Sequence, residues 1–201
     1  MSTKQNSNQS PYDDIYVKRG ARPTKEHIQE ILALAGNVSG RVLDVGCGEG
    51  IILQHFSDAV GMDISVKALL LAKKNVDKEL VHSSATHLPF KEHSFDLLVL
   101  SEVIQYLNDS DVDKMLKDAK RVLKPSGRAI IAAPNKNCLL RPIFWIFNPF
   151  ARAIVKQYGK DTLKQKLREH FEVEKIYLRP HPPWLPKFEL LERRMYALVR
   201  K

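Results

Sequence analysis

A glycine-rich turn flanked by two aspartates is the part of this sequence with the clearest chemical content. Residues 42–45 form a short apolar run that contains Asp44, and the turn 46–50 (Gly-Cys-Gly-Glu-Gly) follows directly. Glycines let the backbone turn sharply from a strand into a helix and approach a bound ligand closely. Asp63 ends a second apolar run, 19 residues after Asp44. That spacing suits a carboxylate that binds the two hydroxyls of a ribose, so the pattern predicts a nucleoside site.

Two common classes of nucleotide-binding protein do not fit this turn. A dinucleotide-binding dehydrogenase would have a further glycine at position 51, where this chain has Ile51. A phosphate-binding P-loop would contain Gly-Lys-Ser or Gly-Lys-Thr, which the turn lacks. The turn therefore suits a nucleoside without a pyrophosphate. The alternative is a tight turn that binds nothing, and the pairing of Asp44 with Asp63 argues against it.

Five segments in order resemble the motifs of class I S-adenosylmethionine-dependent methyltransferases, most closely the functionally mixed type 11 group. They are residues 42–50, 61–65, 84–90, 95–101 and 121–127. The resemblance covers residues 41 to about 135, with a looser fit to the last two strands. It implies an α/β fold with a doubly wound, mostly parallel seven-stranded sheet of Rossmann-like topology and an antiparallel strand at the C-terminal end.

The resemblance also implies the cofactor, S-adenosylmethionine, and a set of roles. The aspartate and glycines of the first motif would bind the methionine portion, Asp63 the ribose and Ile64 the adenine face. Ala85 would offer its backbone N–H to the adenine ring. The family usually has an acid just before that alanine, and the hydroxyl of Ser84 accepts more weakly. The implied cofactor-binding residues are Asp44, Gly46, Cys47, Gly48, Asp63, Ile64, Ser84, Ala85, Ser101 and Glu102.

Methyl transfer from a sulfonium requires mainly an in-line arrangement of nucleophile, methyl and sulfur, with water excluded. No fixed catalytic triad is expected, and a base is needed only if the nucleophile arrives protonated with a high pKa. The candidate bases after the fourth strand are Glu102 and Tyr106, and the alternative for Glu102 is a structural contact. Cys47 is expected to pack rather than to attack. Cys47 and Cys138 form no metal-ligand pair, so no metal site is predicted.

Alternating strands and helices are needed to bring these motifs to one edge of a sheet. Apolar spacing predicts a first helix with Thr24 as its cap and Gly36 as its end. The continuous run 97–100 suits a strand that is buried on both faces. The predicted helices are 24–35, 51–56, 66–78, 111–123 and 163–170, and the predicted strands are 41–45, 59–63, 79–82, 94–101, 128–133, 171–178 and 195–200. A turn is expected at 125–127, irregular structure at 180–186, and antiparallel pairing of the last two strands.

The length and charge of the chain limit its organisation. A chain of 201 residues suits one domain, predicted over 15–201, after a polar tail at 1–14 that is expected to be disordered. No apolar run reaches the ~20 residues that span a bilayer, so a cytoplasmic protein is expected. Residues 1–135 carry 17 Lys and Arg and 17 Asp and Glu, whereas residues 136–201 carry 15 and 6, which accounts for the net charge of +9. This uneven charge distribution affects which partners the protein can bind and does not indicate a particular fold.

An apolar and basic insertion is predicted at about 136–158. Residues 139–150 are rich in Leu, Ile, Phe and Trp and are interrupted by Pro142 and Pro149. Such a composition with basic flanks suits an interfacial segment that touches a membrane, and the alternative is a lid over the core or a dimer contact.

Three functional hypotheses follow. The first is a methyltransferase for a small hydrophobic or amphiphilic acceptor, quinone-like or lipid-like, that works near a membrane surface. The second is an RNA or ribosome methyltransferase that uses the basic last third. It is less favoured, because the aromatic residues cluster with aliphatic ones and do not alternate with Lys and Arg. The third is a non-catalytic relative that binds the cofactor.

Overall fold

The computed structural model describes residues 23–138, 154–180 and 192–201. The helices are α1 (Lys25–Ala35), α2 (Val66–Asn75), α3 (Asp109–Val122) and α4 (Lys160–Arg168). The strands are β1 (Val42–Val45), β2 (Ala59–Asp63), β3 (Glu79–His82), β4 (Phe95–Ser101), β5 (Leu123–Pro134), β6 (Glu172–Pro180) and β7 (Glu192–Arg200). These seven strands form one sheet in the order β3-β2-β1-β4-β5-β7-β6.

The sheet has the predicted topology. Strands β1 to β5 pair in parallel, and β7 pairs antiparallel with both β5 and β6. Helix α2 connects the parallel strands β2 and β3, and α3 connects β4 and β5, whereas β6 and β7 follow each other in the chain and are antiparallel. The predicted fold class and the antiparallel end of the sheet are therefore confirmed.

Helices cover both faces of the sheet, so its central strands are buried on both sides. On one face, Ile31 and Leu34 of α1 pack into a cluster with β1 and β4 residues. On the other face, Met115 of α3 and Leu163 and Leu167 of α4 pack into the larger cluster. This double burial explains why β1 and β4 are almost wholly apolar in sequence.

Side-chain caps set three of the helix starts. Thr24 accepts from the backbone N–H of His27, Ser65 from that of Ala68, and Asn108 from that of Asp111. Such caps satisfy backbone donors that have no partner within the helix. The Thr24 cap was predicted. The Asn108 cap was not, and it starts α3 two residues earlier than the predicted 111.

Two local predictions were wrong. Residues 51–56 were expected to form a helix, but only a single 3₁₀ turn, Leu53–His55, is present. The segment between Gly50 and β2 is too short to offset the cost of starting an α-helix. Residues 125–127 were expected to form a turn, but β5 already begins at Leu123. The pairing passes from Phe95↔Leu123 to Leu97↔Arg128, so residues 124–127 form a bulge within the strand.

Several predicted segments lie outside the described residues. These are the tail 1–14, the apolar stretch 139–150 and most of the proline-rich stretch after Pro180, the last residue of β6. The two ends of the insertion are described. The N–H of Lys136 donates to the carbonyl of Tyr158 at 2.9 Å, which brings these ends together. Among the described residues, no helix has both the length and the apolar character needed to cross a membrane.

Candidate functional site

Hydrogen bonds to the end of β2 fix the glycine turn at the carboxyl edge of the sheet. The N–H groups of Gly46 and Cys47 both donate to the carbonyl of Met62, at 2.7 and 3.0 Å. Gly46 has a φ of 75°. A Cβ atom at this position would lie 2.5 Å from Cγ2 of Val103. Glycine is therefore required at this position, both for the left-handed backbone and for the close approach of the loop after β4.

Asp63 connects three chain segments of the site. Its Oδ2 accepts from the N–H of Gly48 at 3.0 Å, and its Oδ1 accepts from the N–H of Ser65 at 2.8 Å. Its backbone carbonyl accepts from the N–H of Ser83 at 3.2 Å, at the start of the loop that was predicted to flank the adenine. The two motifs that the sequence placed 19 residues apart are thus in direct contact.

Asp44 is buried within the sheet, and neither of its carboxylate oxygens has a hydrogen-bond partner among the described residues. Burial, and secondly the neighbouring charge of Asp63, raise its pKa to about 7. An unpartnered buried carboxylate is costly, and a cationic ligand group would offset that cost. The buried carboxylate of Asp44 therefore fits a cofactor that brings an ammonium or sulfonium charge to the glycine turn.

The remaining cofactor candidates lie along the same edge. Ile64 directly follows β2 and is 42% exposed, which leaves an apolar surface available for an aromatic ring. Ala85 packs partly against the core. The hydroxyl of Ser84 accepts from the N–H of Thr86 at 3.2 Å and shares a hydrogen bond with its hydroxyl at 2.9 Å. Ser84 therefore braces its own loop in addition to any contact with a ligand.

Cys47 is buried in the turn, and its position agrees with packing rather than nucleophilic chemistry. Burial, and secondly the charges of Asp44 and Asp63, raise the pKa of its thiol. The thiolate is the reactive form, so the site keeps this cysteine inert.

Glu102, the first candidate base, is held by neighbours. It has a φ of 59°, which is rare for a residue other than glycine and often marks a functional position. Its Oε1 accepts from Nε of Arg194 at 2.7 Å, and its Oε2 accepts from Nε2 of Gln105 at 3.0 Å. This arrangement favours the structural alternative. Tyr106, the second candidate, lies partly buried at the end of the adjoining 3₁₀ turn, Ile104–Tyr106.

A polar cluster that the sequence analysis missed lies beside Ser101. His27 of α1 is buried, with Nε2 at 2.7 Å from Oγ of Ser101 and Nδ1 at 2.7 Å from Oη of Tyr196. The Arg194 guanidinium also lies beside the Tyr196 hydroxyl. One signal was available: His27 precedes Ile31 and Leu34 by four and seven residues, which places it on the buried face of α1.

One group of potential metal ligands lies away from this edge. Single ligand atoms of Asp113, Glu169 and His170 lie within 4.8 Å of one another at the contact of α3 with the end of α4. The ammonium of Lys166 is 2.6 Å from Asp113 and 2.8 Å from Glu169. Because this lysine already supplies a cation to both carboxylates, the group is explained as an ion-pair cluster.

Comparisons with known proteins agree with this geometry. The Methyltransf_11 family, a methyltransferase domain, matches residues 43–131. An uncharacterised protein of Methanocaldococcus jannaschii is 31% identical over 77% of this chain and 58% of its own length. A demethylmenaquinone methyltransferase of Lactiplantibacillus plantarum is 30% identical over 69% of this chain and 65% of its own length. The chain thus spans less than two thirds of these relatives.

Solved structures share the fold. A methyltransferase of Archaeoglobus fulgidus, described as S-adenosylmethionine-dependent, superposes with a TM-score of 0.72 at 20% identity, covering 96% of this chain and all of that one. A protein of Thermotoga maritima described as a possible histamine N-methyltransferase gives a TM-score of 0.69 at 21% identity, over 87% of each chain. At this identity the likeness concerns the fold. S-adenosylmethionine is the cofactor that the family match and the fold imply.

Proposed function

We propose that this chain, whose residues 43–131 match the Methyltransf_11 methyltransferase domain family, transfers a methyl group from S-adenosylmethionine to a small hydrophobic or amphiphilic acceptor of the quinone or lipid type. The observation that carries the cofactor part is the buried carboxylate of Asp44, which has no hydrogen-bond partner in the described part of the chain and lies under a glycine turn that Asp63 braces. When bound, the cofactor supplies an electrophilic methyl group on a sulfonium. The residues of the chain bind it, orient it and exclude water.

Each part of the cofactor has a matching group in this proposal. Asp44 offsets the positive charge of the methionine portion, with Gly46 and Gly48 leaving room for close approach. Asp63, which ends β2 beside the turn, binds the ribose. Ile64 packs on the adenine, and the loop that begins at Ser83 flanks it.

The acceptor side of the proposal rests on where the insertion begins and ends. The N–H groups of Val155 and Lys156 both donate to the carbonyl of Gln105, at 2.9 and 3.1 Å. Lys156 also pairs with Asp109 at the start of α3. The described end of the insertion is therefore attached to the loop after β4, next to Ser101 and Glu102. An insertion rich in Leu, Ile, Phe and Trp that returns to this loop favours an apolar acceptor.

Two curated relatives support a quinone-like acceptor. One is the demethylmenaquinone methyltransferase of L. plantarum described above. The other is a ubiquinone/menaquinone biosynthesis C-methyltransferase of Haemophilus ducreyi, 29% identical over 70% of this chain and 58% of its own length. This chain matches less than two thirds of the length of either relative, so the acceptor class is part of the proposal.

The experiment is a transfer assay with S-adenosylmethionine labelled in its methyl group. The protein is incubated with reduced short-chain demethylated naphthoquinone, with total lipid extract and with ribosomal RNA. We expect label in the solvent-extractable quinone or lipid. Label in RNA would instead support an RNA methyltransferase using the basic last third. Tight binding of S-adenosylhomocysteine without transfer to any fraction would support a non-catalytic relative.

We further propose that the apolar and basic insertion contacts a membrane surface that holds such an acceptor. Vesicles containing one-quarter anionic lipid should sediment the protein, and neutral vesicles should not. Replacing residues 139–150 by a Gly/Ser linker of equal length should abolish the effect. Equal sedimentation with that variant would contradict the role of this segment.

A further inference from the structure

A series of polar contacts runs from the first half of β7, which lies between β5 and β6 in the sheet, to the end of β4. The Arg194 guanidinium lies beside the Tyr196 hydroxyl, Tyr196 bonds Nδ1 of His27, and Nε2 of His27 bonds the Ser101 hydroxyl. The four residues come from β7, α1 and β4. Both ring contacts of His27 are 2.7 Å long, so each is a full hydrogen bond.

The chemistry of the four groups gives this chain a direction. The guanidinium of arginine only donates, so the Tyr196 oxygen accepts from Arg194. The hydrogen of that hydroxyl is then available for the imidazole nitrogen at 2.7 Å, which makes Nδ1 of His27 the acceptor. A neutral imidazole has one donor and one acceptor, so Nε2 carries the proton and donates to Ser101. Among the described residues the Ser101 hydrogen has no acceptor, so it remains for one that a ligand supplies.

The surroundings of His27 keep the imidazole neutral, as this direction requires. Burial, and secondly the charge of Arg194, lower the pKa of His27 to about 3. The carboxylates nearest to the cluster have other cationic partners. Glu102 pairs with Arg194, and Glu30 pairs with Arg179 while accepting from the Tyr177 hydroxyl.

The position of Ser101 shows where its hydrogen is needed. Val45 of β1 lies opposite Leu100 of β4, so Ser101 is level with Gly46, the first residue of the glycine turn. Ser101 is partly exposed, unlike His27 and Tyr196, which are buried. The last hydroxyl of the chain therefore lies at the carboxyl edge, between the cofactor turn and the loop that meets the insertion.

We propose that Ser101 is a hydrogen-bond donor to an oxygen of the methyl acceptor, a phenolate or carbonyl oxygen, and that Arg194, Tyr196 and His27 are positioning residues that fix its direction. This inference rests on the proposed function for the identity of the acceptor, but the direction of the hydrogen-bond chain does not. A hydrogen bond donated by Ser101 to this oxygen stabilises an acceptor that arrives already ionised. Such an acceptor needs no general base, which agrees with the ion pair that Glu102 forms with Arg194.

The direction is tested by the nitrogen chemical shifts of His27 in the full-length protein labelled with nitrogen-15. We expect a neutral ring with the proton on Nε2. In Tyr196→Phe, which keeps the ring and removes the hydroxyl, we expect the Nδ1–H form to appear. Tyr177→Phe is the matched control, since Tyr177 stacks on Tyr196 at 5.7 Å but bonds Glu30 instead. A wild-type ring with its proton on Nδ1, or a charged ring, would overturn the direction.

The donor role is tested by binding of two ring compounds, 1-naphthol and naphthalene, to the protein saturated with S-adenosylhomocysteine. We expect the wild-type protein to prefer 1-naphthol. Ser101→Ala should weaken 1-naphthol binding about fivefold and leave the affinity for naphthalene unchanged. Ser94→Ala, at the other end of this segment, is the control. An unchanged preference in Ser101→Ala, reduced S-adenosylhomocysteine affinity instead, or no wild-type preference would overturn the donor role.

The two proposals fail separately. Transfer to a quinol by a protein whose His27 proton is on Nδ1 overturns this inference and leaves the proposed function standing. A proton on Nε2 with a Ser101-dependent preference for 1-naphthol, in a protein that methylates RNA only, supports this inference and overturns the quinone or lipid acceptor.

Discussion

Two neighbouring regions at the carboxyl edge of the sheet bury polar side chains in opposite ways. In the cofactor region, at the ends of β1 and β2, Asp44 is buried without a hydrogen-bond partner among the described residues. In the proposed acceptor region, at the end of β4 and in the first half of β7, His27, Ser101 and Tyr196 form a connected chain. The first arrangement leaves a charge to be matched by a ligand. The second fixes hydrogen-bond directions before any ligand arrives, which is the form that preorganised sites take.

The largest expected effect concerns Asp44. Its folded pKa of about 7 lies above the ordinary 3.8, so the folded chain keeps a proton that the unfolded chain has released. The free energy of unfolding should therefore fall as pH rises from 4 to 7, by on the order of 4 kcal/mol for this group. Asp44→Asn should remove that part of the fall. The measurement is urea unfolding of both proteins at pH 4 and pH 8, without cofactor.

The exposed Asp58→Asn is the control for this experiment, and it should keep the wild-type pH dependence. If Asp44→Asn loses stability with pH as steeply as the wild-type protein, Asp44 has a partner in solution and the contrast between the two regions disappears.

The next effect concerns Asp63. Asp63→Ala removes the acceptor of the Gly48 and Ser65 N–H groups as well as the proposed ribose ligand. We expect S-adenosylhomocysteine affinity to fall about 100-fold by calorimetry, because hydrogen bonds to a charged group contribute about 1.5–3 kcal/mol each. Asp58→Ala should bind normally. Undiminished affinity in a folded Asp63→Ala protein would count against the site assignment.

A smaller effect is expected in the acceptor region. Arg194→Met leaves the Glu102 carboxylate without its guanidinium partner. Because both side chains keep some exposure to water, we expect a loss of about 2 kcal/mol in the free energy of unfolding, less than for a fully buried pair. Adding Glu102→Gln should restore part of it. Strictly additive losses in the double variant would show that the pair is not coupled.

The smallest effect is expected at Tyr177, next to the acceptor region. Tyr177→Phe keeps the ring stacked on Tyr196 and removes only the hydroxyl that donates to Glu30 at 2.7 Å. We expect a loss of about 1 kcal/mol, measured by thermal unfolding. A loss larger than that of Arg194→Met would reverse the ranking and place the main stabilising contact on β6.

The cofactor region was predictable because its parts are short, contiguous motifs. Residues 42–50 and the end of β2 are each recognisable alone, and parallel pairing then brings Asp63 to Gly48. The acceptor region was not predictable in this way. Along the chain, His27 is 74 residues away from Ser101 and 169 residues away from Tyr196. Only Ser101 and Glu102 were identified from the sequence. The contact between Glu102 and Arg194 joins residues that are 92 positions apart, so it forms only when the sheet assembles.

Two local backbone conformations also could not be predicted from the sequence. A helix at 51–56 was predicted from its apolar residues, but the length of chain before β2 permits one 3₁₀ turn only. A turn at 125–127 was predicted from Pro and Gly, but the pairing of Leu123 with Phe95 draws this segment into β5 as a bulge. In both cases the pairing of neighbouring strands fixed the geometry of the segment, which local sequence preference does not encode.

The sequence by itself determined the alternation of strands and helices, the glycine turn and the spacing of Asp44 and Asp63, because these depend on residue type and short-range periodicity. The tertiary structure alone decided which side chains from α1, β4 and β7 meet, and hence that Asp44 has no hydrogen-bond partner within the described ranges while His27 has two. The physical reason is that burial and hydrogen-bond partners are set by long-range packing, so residues far apart in the chain acquire their chemistry only when the sheet assembles.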